Sequence, residues 1–373
     1  MFQRAEHMPT DLKLEKFVSK HLKGKDRESL DLSELDPPLK GAKLSQLVVF
    51  LNDRPQIKKL FLRHNSINDD DVERLAKLKH IESLDLFNNL VTDRGIELLA
   101  KMLQLTSLQI GGNDLITNVD VFCNSSLRTL IANHCNNLQT IDNFIKNTKV
   151  EILGLCNCGI IDDDLCYIQD NHFIKELHLS GNKLTSEGIR FLAQNSIIQC
   201  LDISDQDVDD QSAVLLSQMP SLEKLNIHGC LIGDEGMVAL SRHPKLKTLD
   251  ASSLNKVTTK TWGKFSDNKI LTELDVSADC LRDDELNYFT KMNLKKLLAT
   301  YNLVTEVGIK HLEASQIENI DLSSLKRIDE HKVSTLFIGF DVSKKRVREE
   351  NVDYTETIVD VKRPFKTSYL YNL

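Results

Sequence analysis

The chain has 373 residues, of which 41% are hydrophobic and 27% charged, and its formal net charge is −8. This composition is typical of a globular protein, and the negative charge argues against nucleic acid as a ligand of the whole molecule. The eight cysteines are scattered along the chain, which indicates reduced thiols in a cytosol-like compartment. The N-terminus, "MFQRAEHMPTDLKLEKF", has no apolar signal segment, and no apolar run approaches the ~18 residues that a membrane helix needs. We therefore expect a cytoplasmic protein that does not insert into a membrane.

The first predicted element is a helix. Leu14, Phe17, Val18 and Leu22 recur at helical spacing in residues 10–23, and we expect residues 1–26 to form a helical cap. The stretch "MPTDLKLEKFVSKHL" also faintly resembles the opening of an F-box, a helical module that docks onto ubiquitin-ligase scaffolds. The first repeat-like strand arrives at Leu30, which leaves no room for the rest of that module.

A repeat of 22 to 25 residues organises the chain from residue 27 to residue 332. The segments "IESLDLFNNLVTDRGIELLAKM", "IKELHLSGNKLTSEGIRFLAQNS", "LEKLNIHGCLIGDEGMVALSRH" and "LKKLLATYNLVTEVGIKHLEAS" share the pattern L-x-x-L-x-L-x-x-[NC]-x-[LIV], followed by a helix start and an apolar stripe. The same frame recurs about thirteen times. Such self-similarity is the signature of a solenoid.

Each column of the repeat has a physical reason. In an extended strand the two leucines of L-x-L point to the same side, so we expect them in the core. The asparagine column (Asn65, Asn89, Asn113, Asn182, Asn302) follows each strand, where a buried side-chain amide can hydrogen-bond to neighbouring coils. Residues such as Thr92 and Asp93 next supply caps and negative charge for a helix N-terminus.

The repeat resembles the leucine-rich repeat family, most of all its ribonuclease-inhibitor-like class in the shorter bacterial "GALA" version. The resemblance implies an α/β solenoid, a curved leucine-rich-repeat horseshoe with parallel β-strands on the concave face and short helices on the convex face. In that family such arrays are usually protein-recognition scaffolds, and several occur in bacterial effectors delivered into host cells.

Residues 333–373 depart from the repeat, and we expect them to form a C-terminal cap and tail. The segments "FIGF" and "ETIVDV" could add edge strands over the last coil, and "KKRVR" is typical of a solvated basic turn.

The stretch "LCNCGIIDDDLC" is the strongest candidate for a metal or redox site, because it combines thiols with carboxylates. The repeat frame separates them: Cys158, like Cys135 and Cys230, takes the asparagine column, Cys156 faces the concave surface, and Asp162 to Asp164 begin a convex helix. A metal site or a redox pair at Cys135 and Cys158 is the alternative. We find no histidine pair or glycine-rich phosphate loop, and we expect no catalytic, metal or cofactor site.

The concave face should carry the binding site. An aromatic and basic patch near the N-terminus is followed by a mostly acidic arc, with the residues between the inward leucines facing solvent. The candidate partner-binding residues are Phe61, Arg63, Asp85, Phe87, Glu176, His178, Asp202, Asn226, Asp250, Glu273, Asp275 and Asp321. Exposed aromatic residues beside arginine are typical of interface anchors, and the acidic arc would steer a basic partner. Alternatively, the aspartates reflect only the common repeat spelling "LDLS".

The sequence therefore predicts a monomeric, non-catalytic scaffold for protein–protein interaction, with a protein partner, a basic one being favoured. The family resemblance adds a bacterial effector acting on a host protein in the host cytosol. The alternative is a ubiquitin-ligase substrate adaptor with a degenerate F-box-like N-terminus.

Overall fold

The computed structural model describes residues 11–24, 27–313 and 315–323. The chain divides into two compact units, Met1–Lys183 and Leu184–Leu373, and each is described by itself. The C-terminal cap and tail predicted for residues 333–373 lie outside the described residues, as do residues 1–10 of the predicted N-terminal cap.

The first unit contains a sheet in which strands pair in chain order. β1 is antiparallel to β2, and β2 to β8 are parallel and in register. The strands are β1 Leu22–Lys23, β2 Ser29–Asp31, β3 Lys59–Phe61, β4 Ser83–Asp85, β5 Ser107–Gln109, β6 Thr129–Ile131, β7 Ile152–Gly154 and β8 Glu176–His178.

Short helices connect these strands. The α-helices are α1 Asp11–His21, α2 Ala42–Asn52, α3 Asp69–Leu75, α4 Asp93–Leu99 and α5 Asp142–Asn147. Three 3₁₀ helices take the same place in other coils, at Asp120–Phe122, Asp162–Leu165 and Ile168–Asp170. In α1, which packs near β2, Leu14 and Val18 are buried.

The second unit repeats this construction. Its parallel strands are β9 Cys200–Asp202, β10 Lys224–Asn226, β11 Thr248–Asp250, β12 Glu273–Asp275, β13 Lys296–Leu298 and β14 Asn319–Asp321. Its helices are α6 Ser186–Ala193, α7 Asp210–Leu216, α8 Asp234–Leu240, α9 Thr259–Phe265, α10 Asp283–Phe289 and α11 Glu306–Glu313. Each unit alternates a parallel strand with a helix, so the predicted α/β leucine-rich-repeat solenoid is confirmed.

The core forms as the repeat predicts. The paired leucines of each strand are buried, for example Leu84 and Leu86 in the first unit and Leu225 and Ile227 in the second. Helix residues such as Ile96 and Leu99 are buried against them. Apolar burial of this kind is the main stabilising term of the fold, and it leaves one side of each strand pointing away from the core.

The asparagine column forms the expected ladder between coils. Asn89 Oδ1 accepts hydrogen bonds from the backbone N–H of Asn65 and of Ile67, both at 3.0 Å. Its Nδ2 donates to the carbonyl of Leu62 at 3.0 Å. Asn302 does the same in the second unit, accepting from Asp279 and Leu281 and donating to Val276. The amides thus satisfy backbone groups that the turn after each strand would otherwise leave unpaired.

A second ladder, which the sequence did not predict, runs along the helix N-termini. Asp69 accepts from the Thr92 backbone N–H at 2.9 Å and from the Thr92 hydroxyl at 2.6 Å. The same aspartate explains the glycine at the start of the next helix, because a Cβ on Gly95 would overlap Asp69 Oδ1 and lie 2.6 Å from Val91 Cγ1. The glycine gives room for the carboxylate that links two coils.

Candidate functional site

The candidate binding surface is the outward strand face, meaning the side chains of each strand and of the following turn that point away from the core. Its central column contains most of the candidate partner-binding residues. In the second unit Asp202 Oδ1 accepts from the Ser204 N–H at 3.1 Å, and Asp275 Oδ1 from the Ser277 N–H at 2.9 Å. The other members of the column that make this turn are Asp31, Asp85, Asn226, Asp250 and Asp321.

These hydrogen bonds correct one expectation. Asp85, Asp202 and Asn226 are only 4%, 7% and 3% exposed, so the prediction that they face solvent is wrong. Asp250, Glu273, Asp275 and Asp321 are half-buried. An aspartate that accepts the N–H two residues later fixes the turn that ends the strand, which gives the spelling L-D-x-S a structural reason.

Burial also changes the charge of the second unit's outward face. It raises the pKa of Asp250 to about 7, with the neighbouring Asp275 as the second cause, and it raises the pKa of Asp275 too. Asp279 stands in the asparagine column and its pKa is raised well above the usual value, again by burial. At neutral pH the acidic arc therefore carries less negative charge than its aspartates suggest.

A hydrogen-bonded chain of three side chains crosses this face. The Ser252 hydroxyl lies 2.5 Å from Asp250 Oδ1 and 2.8 Å from His228 Nδ1. The serine is buried, and its hydroxyl is already committed to the carboxylate. A nucleophilic serine needs a base and an open approach for the substrate, so this chain serves to order the turn.

His178 is likewise held within the strand face. It is 6% exposed, and its Nε2 lies 2.9 Å from Glu176 Oε1 on the same strand. The expected partner-facing histidine is therefore largely covered, while Glu176 beside it is half-buried.

The first unit carries a cluster of aromatic side chains that takes no part in the two hydrogen-bonded ladders between coils. The Phe87 ring lies edge-on to two exposed imidazoles, with its centroid 5.6 Å from that of His64 and 6.4 Å from that of His134. Asn88 supports the arrangement, because its amide nitrogen lies 2.7 Å from His64 Nδ1. We call Phe87, His64 and His134 the aromatic cluster. From the sequence, Phe87 was a candidate binding residue and His64 was expected on or near the concave face; His134, in the turn after β6, was missed.

Phe61 and Arg63 border the aromatic cluster on β3 and the turn after it. Both are half-buried. The Arg63 guanidinium donates to Asp85, and burial raises the pKa of that carboxyl although the arginine opposes the shift. Arg63 is thus held by an ion pair within the chain.

The position of Phe87 is unusual within the repeat. The residue two places after the central column is a serine in six of the thirteen coils, for example Ser180, Ser204, Ser252 and Ser277, and Phe87 is the one Phe, Tyr or Trp among the thirteen. A serine there can add a hydroxyl bond to the aspartate, as Ser252 does for Asp250. Phe87 keeps the backbone bond to Asp85 at 3.0 Å and adds a half-buried ring that the turn does not need.

Cys156 and Gly154 do not form a recess. A Cβ on Gly154 would lie 3.0 Å from Asn133 Oδ1 and 3.0 Å from Ile131 Cδ1. Asn133 Oδ1 also accepts from the Cys156 N–H at 2.8 Å. These side chains fill the space above the glycine, so the surface there is closed.

The cysteines of the asparagine column behave as ladder residues. Cys158 Sγ donates to the Ala132 carbonyl at 3.1 Å, and Cys230 Sγ to that of Ile203 at 3.3 Å. Burial raises the pKa of Cys135 to about 12, that of Cys158 to about 11 and that of Cys230 to about 12. Protonated, buried thiols are poor nucleophiles.

One family model and one solved structure agree with this architecture. The family model described as "Leucine Rich repeat" matches residues 77–100, 170–193 and 218–241, and no curated protein matches the chain. A yeast structure, the Rad7 and Elc1 complex, has a chain similar at 18% identity with a TM-score of 0.55, over 79% of this chain and 80% of that one. An internalin (inlF) from Listeria monocytogenes is similar at 18% identity with a TM-score of 0.40, over 77% of this chain and 95% of that one.

The chain therefore contains leucine-rich repeats and has the corresponding solenoid fold. Proteins of this architecture are typically interaction scaffolds. None of the helices within the described residues is both long and apolar enough to span a bilayer.

Proposed function

We propose that this chain is a non-catalytic scaffold that binds a partner protein through the aromatic cluster of its first unit. The carrying observation is that Phe87 places a half-buried ring between two exposed imidazoles on the outward strand face, at a position where no other coil has Phe, Tyr or Trp. Ring and imidazole surfaces combine apolar area with hydrogen-bonding edges, which is why aromatic residues dominate interface energetics. Arg63, fixed by Asp85, would contribute a rigid edge to the same interface.

The test replaces Phe87 by serine, the residue that six other coils have at this position. Phe87→Ser should preserve the fold, because the backbone bond to Asp85 remains. It should weaken partner binding by about 30-fold, the effect of removing an anchor worth about 2 kcal/mol. Leu103→Ser is the matched control, since Leu103 is an exposed apolar residue (75%) away from the aromatic cluster.

The measurement is an affinity capture from lysate followed by mass spectrometry and by titration of the captured protein. We expect one set of proteins to be retained by the unchanged chain and by Leu103→Ser but lost with Phe87→Ser. Identical capture by all three proteins would contradict the aromatic cluster as the binding site.

The finer proposals concern the partner and the setting. A basic partner would meet Asp205 and Asp207, which are exposed, rather than the buried Asp202 or the partly neutral Asp250. A monomeric bacterial effector that acts on a host protein in the host cytosol remains a proposal that rests on the resemblance to GALA-type repeats. Expression in host-type cells with localisation of the chain would test it.

A second candidate is the adaptor that presents a bound protein to a ubiquitin ligase. It is favoured by the likeness to a chain solved in the Rad7 and Elc1 complex. Against it, Leu14 and Val18 bury α1 near the first repeat strand, so α1 is part of the solenoid's end. An adaptor should capture a ligase subunit that Phe87→Ser does not release; if no such subunit is recovered, the adaptor is excluded.

A further inference from the structure

Exposed charges are distributed unevenly between two opposite edges of the second unit. The edge where helices begin carries exposed acidic residues, including Asp205, Asp207, Glu235 and Asp284. The edge where helices end and strands begin carries exposed cations. We call these the basic edge: Arg242, Lys245, Lys269, Lys291, Lys295 and Lys296. The net charge of −8 conceals this uneven distribution.

Backbone hydrogen bonds show that the basic edge is one continuous surface. The Thr272 N–H donates to the Lys247 carbonyl at 2.8 Å, and the Lys295 N–H to the Thr272 carbonyl at 2.7 Å. Lys269 Nζ reaches the Lys291 carbonyl at 2.5 Å. The six cations therefore come from three consecutive coils, whose strands lie about 4.8 Å apart.

Several other cations at the same edge of the coils pair with carboxylates. Lys58 pairs with Glu82 at 3.0 Å in the first unit, and Lys247 with Glu223 at 2.8 Å in the second. Within the part of the chain that the structure describes, none of the six residues of the basic edge forms an ion pair. The exposed Asp267 and Glu318 lie in the same loops and leave the cations in excess.

Helix dipoles explain only part of this pattern. A cation just after a helix C-terminus is favourable, and this accounts for Arg242 after α8 and Lys291 after α10. Lys245, Lys295 and Lys296 stand instead just before or within strands, where no dipole favours them. Their accumulation points to an external anion.

We propose that the basic edge docks the second unit onto a bilayer that carries anionic phospholipid headgroups. Five of the six cations are lysines, which act as hydrated point charges without a fixed binding geometry and so suit a fluid layer of headgroups. Ile270 follows Lys269 and exposes 43% of its surface, which places an apolar side chain at the level of the interface.

Two other polyanions fit the basic edge less well. An acidic protein segment is best held by the bidentate geometry of arginine, and Arg242 is the single arginine among the six. Single-stranded nucleic acid binds through bases stacked on exposed aromatic rings, whereas the Tyr288 ring beside the basic edge is half-buried and lies 5.7 Å from Lys291 Nζ. The exposed acidic residues at the edge where helices begin lie one helix length from the basic edge. A seven-residue helix is about 10 Å long, which is about one Debye length at physiological salt (about 8–10 Å), so salt screens the repulsion between these residues and the headgroups.

The test uses the full chain and vesicles of phosphatidylcholine with or without phosphatidylserine, measured by co-sedimentation. The chain should bind the phosphatidylserine vesicles and not those of phosphatidylcholine alone. Because each basic residue near an anionic surface raises the affinity about fivefold, the triple variant K245Q/K291Q/K295Q should lower the partition coefficient about 100-fold. The matched control, K256Q/K260Q/K310Q, removes three exposed lysines elsewhere in the same unit and should lower it far less.

The fluorescence of buried Trp262 verifies that both variants fold. Equal losses in the two triple variants, or no preference for phosphatidylserine, would overturn the proposal. So would binding to an acidic peptide or to RNA by a chain that ignores the vesicles. The aromatic cluster lies in the other unit, so Phe87→Ser should leave vesicle binding unchanged.

Discussion

Asp279 is the residue whose replacement tests the ladder most sharply. It occupies the asparagine column, and its Oδ1 accepts from the Leu254 N–H at 2.7 Å. Its Oδ2 is buried without a hydrogen-bond partner. In the next coil Asn302 uses its Nδ2 to donate to the Val276 carbonyl at 2.9 Å, and by the repeat register the corresponding acceptor for residue 279 is the carbonyl of Ala251.

Asp279→Asn should therefore stabilise the second unit. The new amide restores one buried hydrogen bond, worth about 1 kcal/mol, and removes an unsatisfied buried oxygen that costs about 1–3 kcal/mol. We expect the free energy of unfolding to rise by about 2 to 4 kcal/mol at neutral pH. Trp262, the only tryptophan and 1% exposed, reports unfolding of this unit in urea.

The pH dependence gives an independent check. The folded-state pKa of Asp279 is raised, so the stability that this group contributes is full below its unfolded pKa of about 3.9 and is lost as pH rises toward the folded pKa. Because the asparagine variant does not titrate, its advantage should grow from about pH 4 upward. The reverse change, Asn302→Asp, is the matched control and should destabilise. A variant that is less stable than the unchanged chain, or an advantage equal at pH 4 and pH 7, would refute the reasoning.

The other contacts lead to three more predictions. Gly95→Ala should destabilise the first unit by up to about 2 kcal/mol, measured by circular dichroism, because overpacking against Asp69 costs about 1–3 kcal/mol and the helix-propensity gain is about 1 kcal/mol; a more stable variant would contradict this. Burial lowers the pKa of His243, so the second unit should lose stability as pH falls below about 6.5, the unfolded value. His243→Asn should remove that loss, and an unchanged acid profile would count against it. Asp202→Lys should unfold or strongly destabilise the second unit, and a normal urea midpoint would show that the turn does not need the carboxylate.

The fold was predicted well from the sequence because the repeat pattern shows which residues of consecutive coils are equivalent and therefore lie side by side. The leucine pairs, the asparagine ladder and the cysteines that substitute in it all follow from periodicity and from the need to satisfy buried backbone groups. The hydrogen bonds between Thr92 and Asp69 were not predicted. A Thr-Asp pair at the start of a helix is fully explained by capping of that one helix, and nothing in it indicates a contact with a residue 23 positions away.

The candidate site was predicted less well, for a physical reason. Alternation along a strand tells which way a side chain points but not how deeply its neighbours cover it. Asp85, Asp202 and His178 point outward, as predicted, and are nevertheless buried by hydrogen bonds and adjacent coils. Phe87 was found because an aromatic residue beside Arg63 on the outward face is typical of an interface anchor, and that signal needs no knowledge of burial.

The most direct test of the interaction scaffold places a photo-crosslinking amino acid at position 87 and, separately, at position 103. Both positions carry solvent-accessible apolar side chains, but only Phe87 belongs to the aromatic cluster. We predict a protein adduct from position 87 that is absent from position 103 and is identified by mass spectrometry. Adducts that are the same from both positions, or that form only from position 103, would contradict binding at the aromatic cluster.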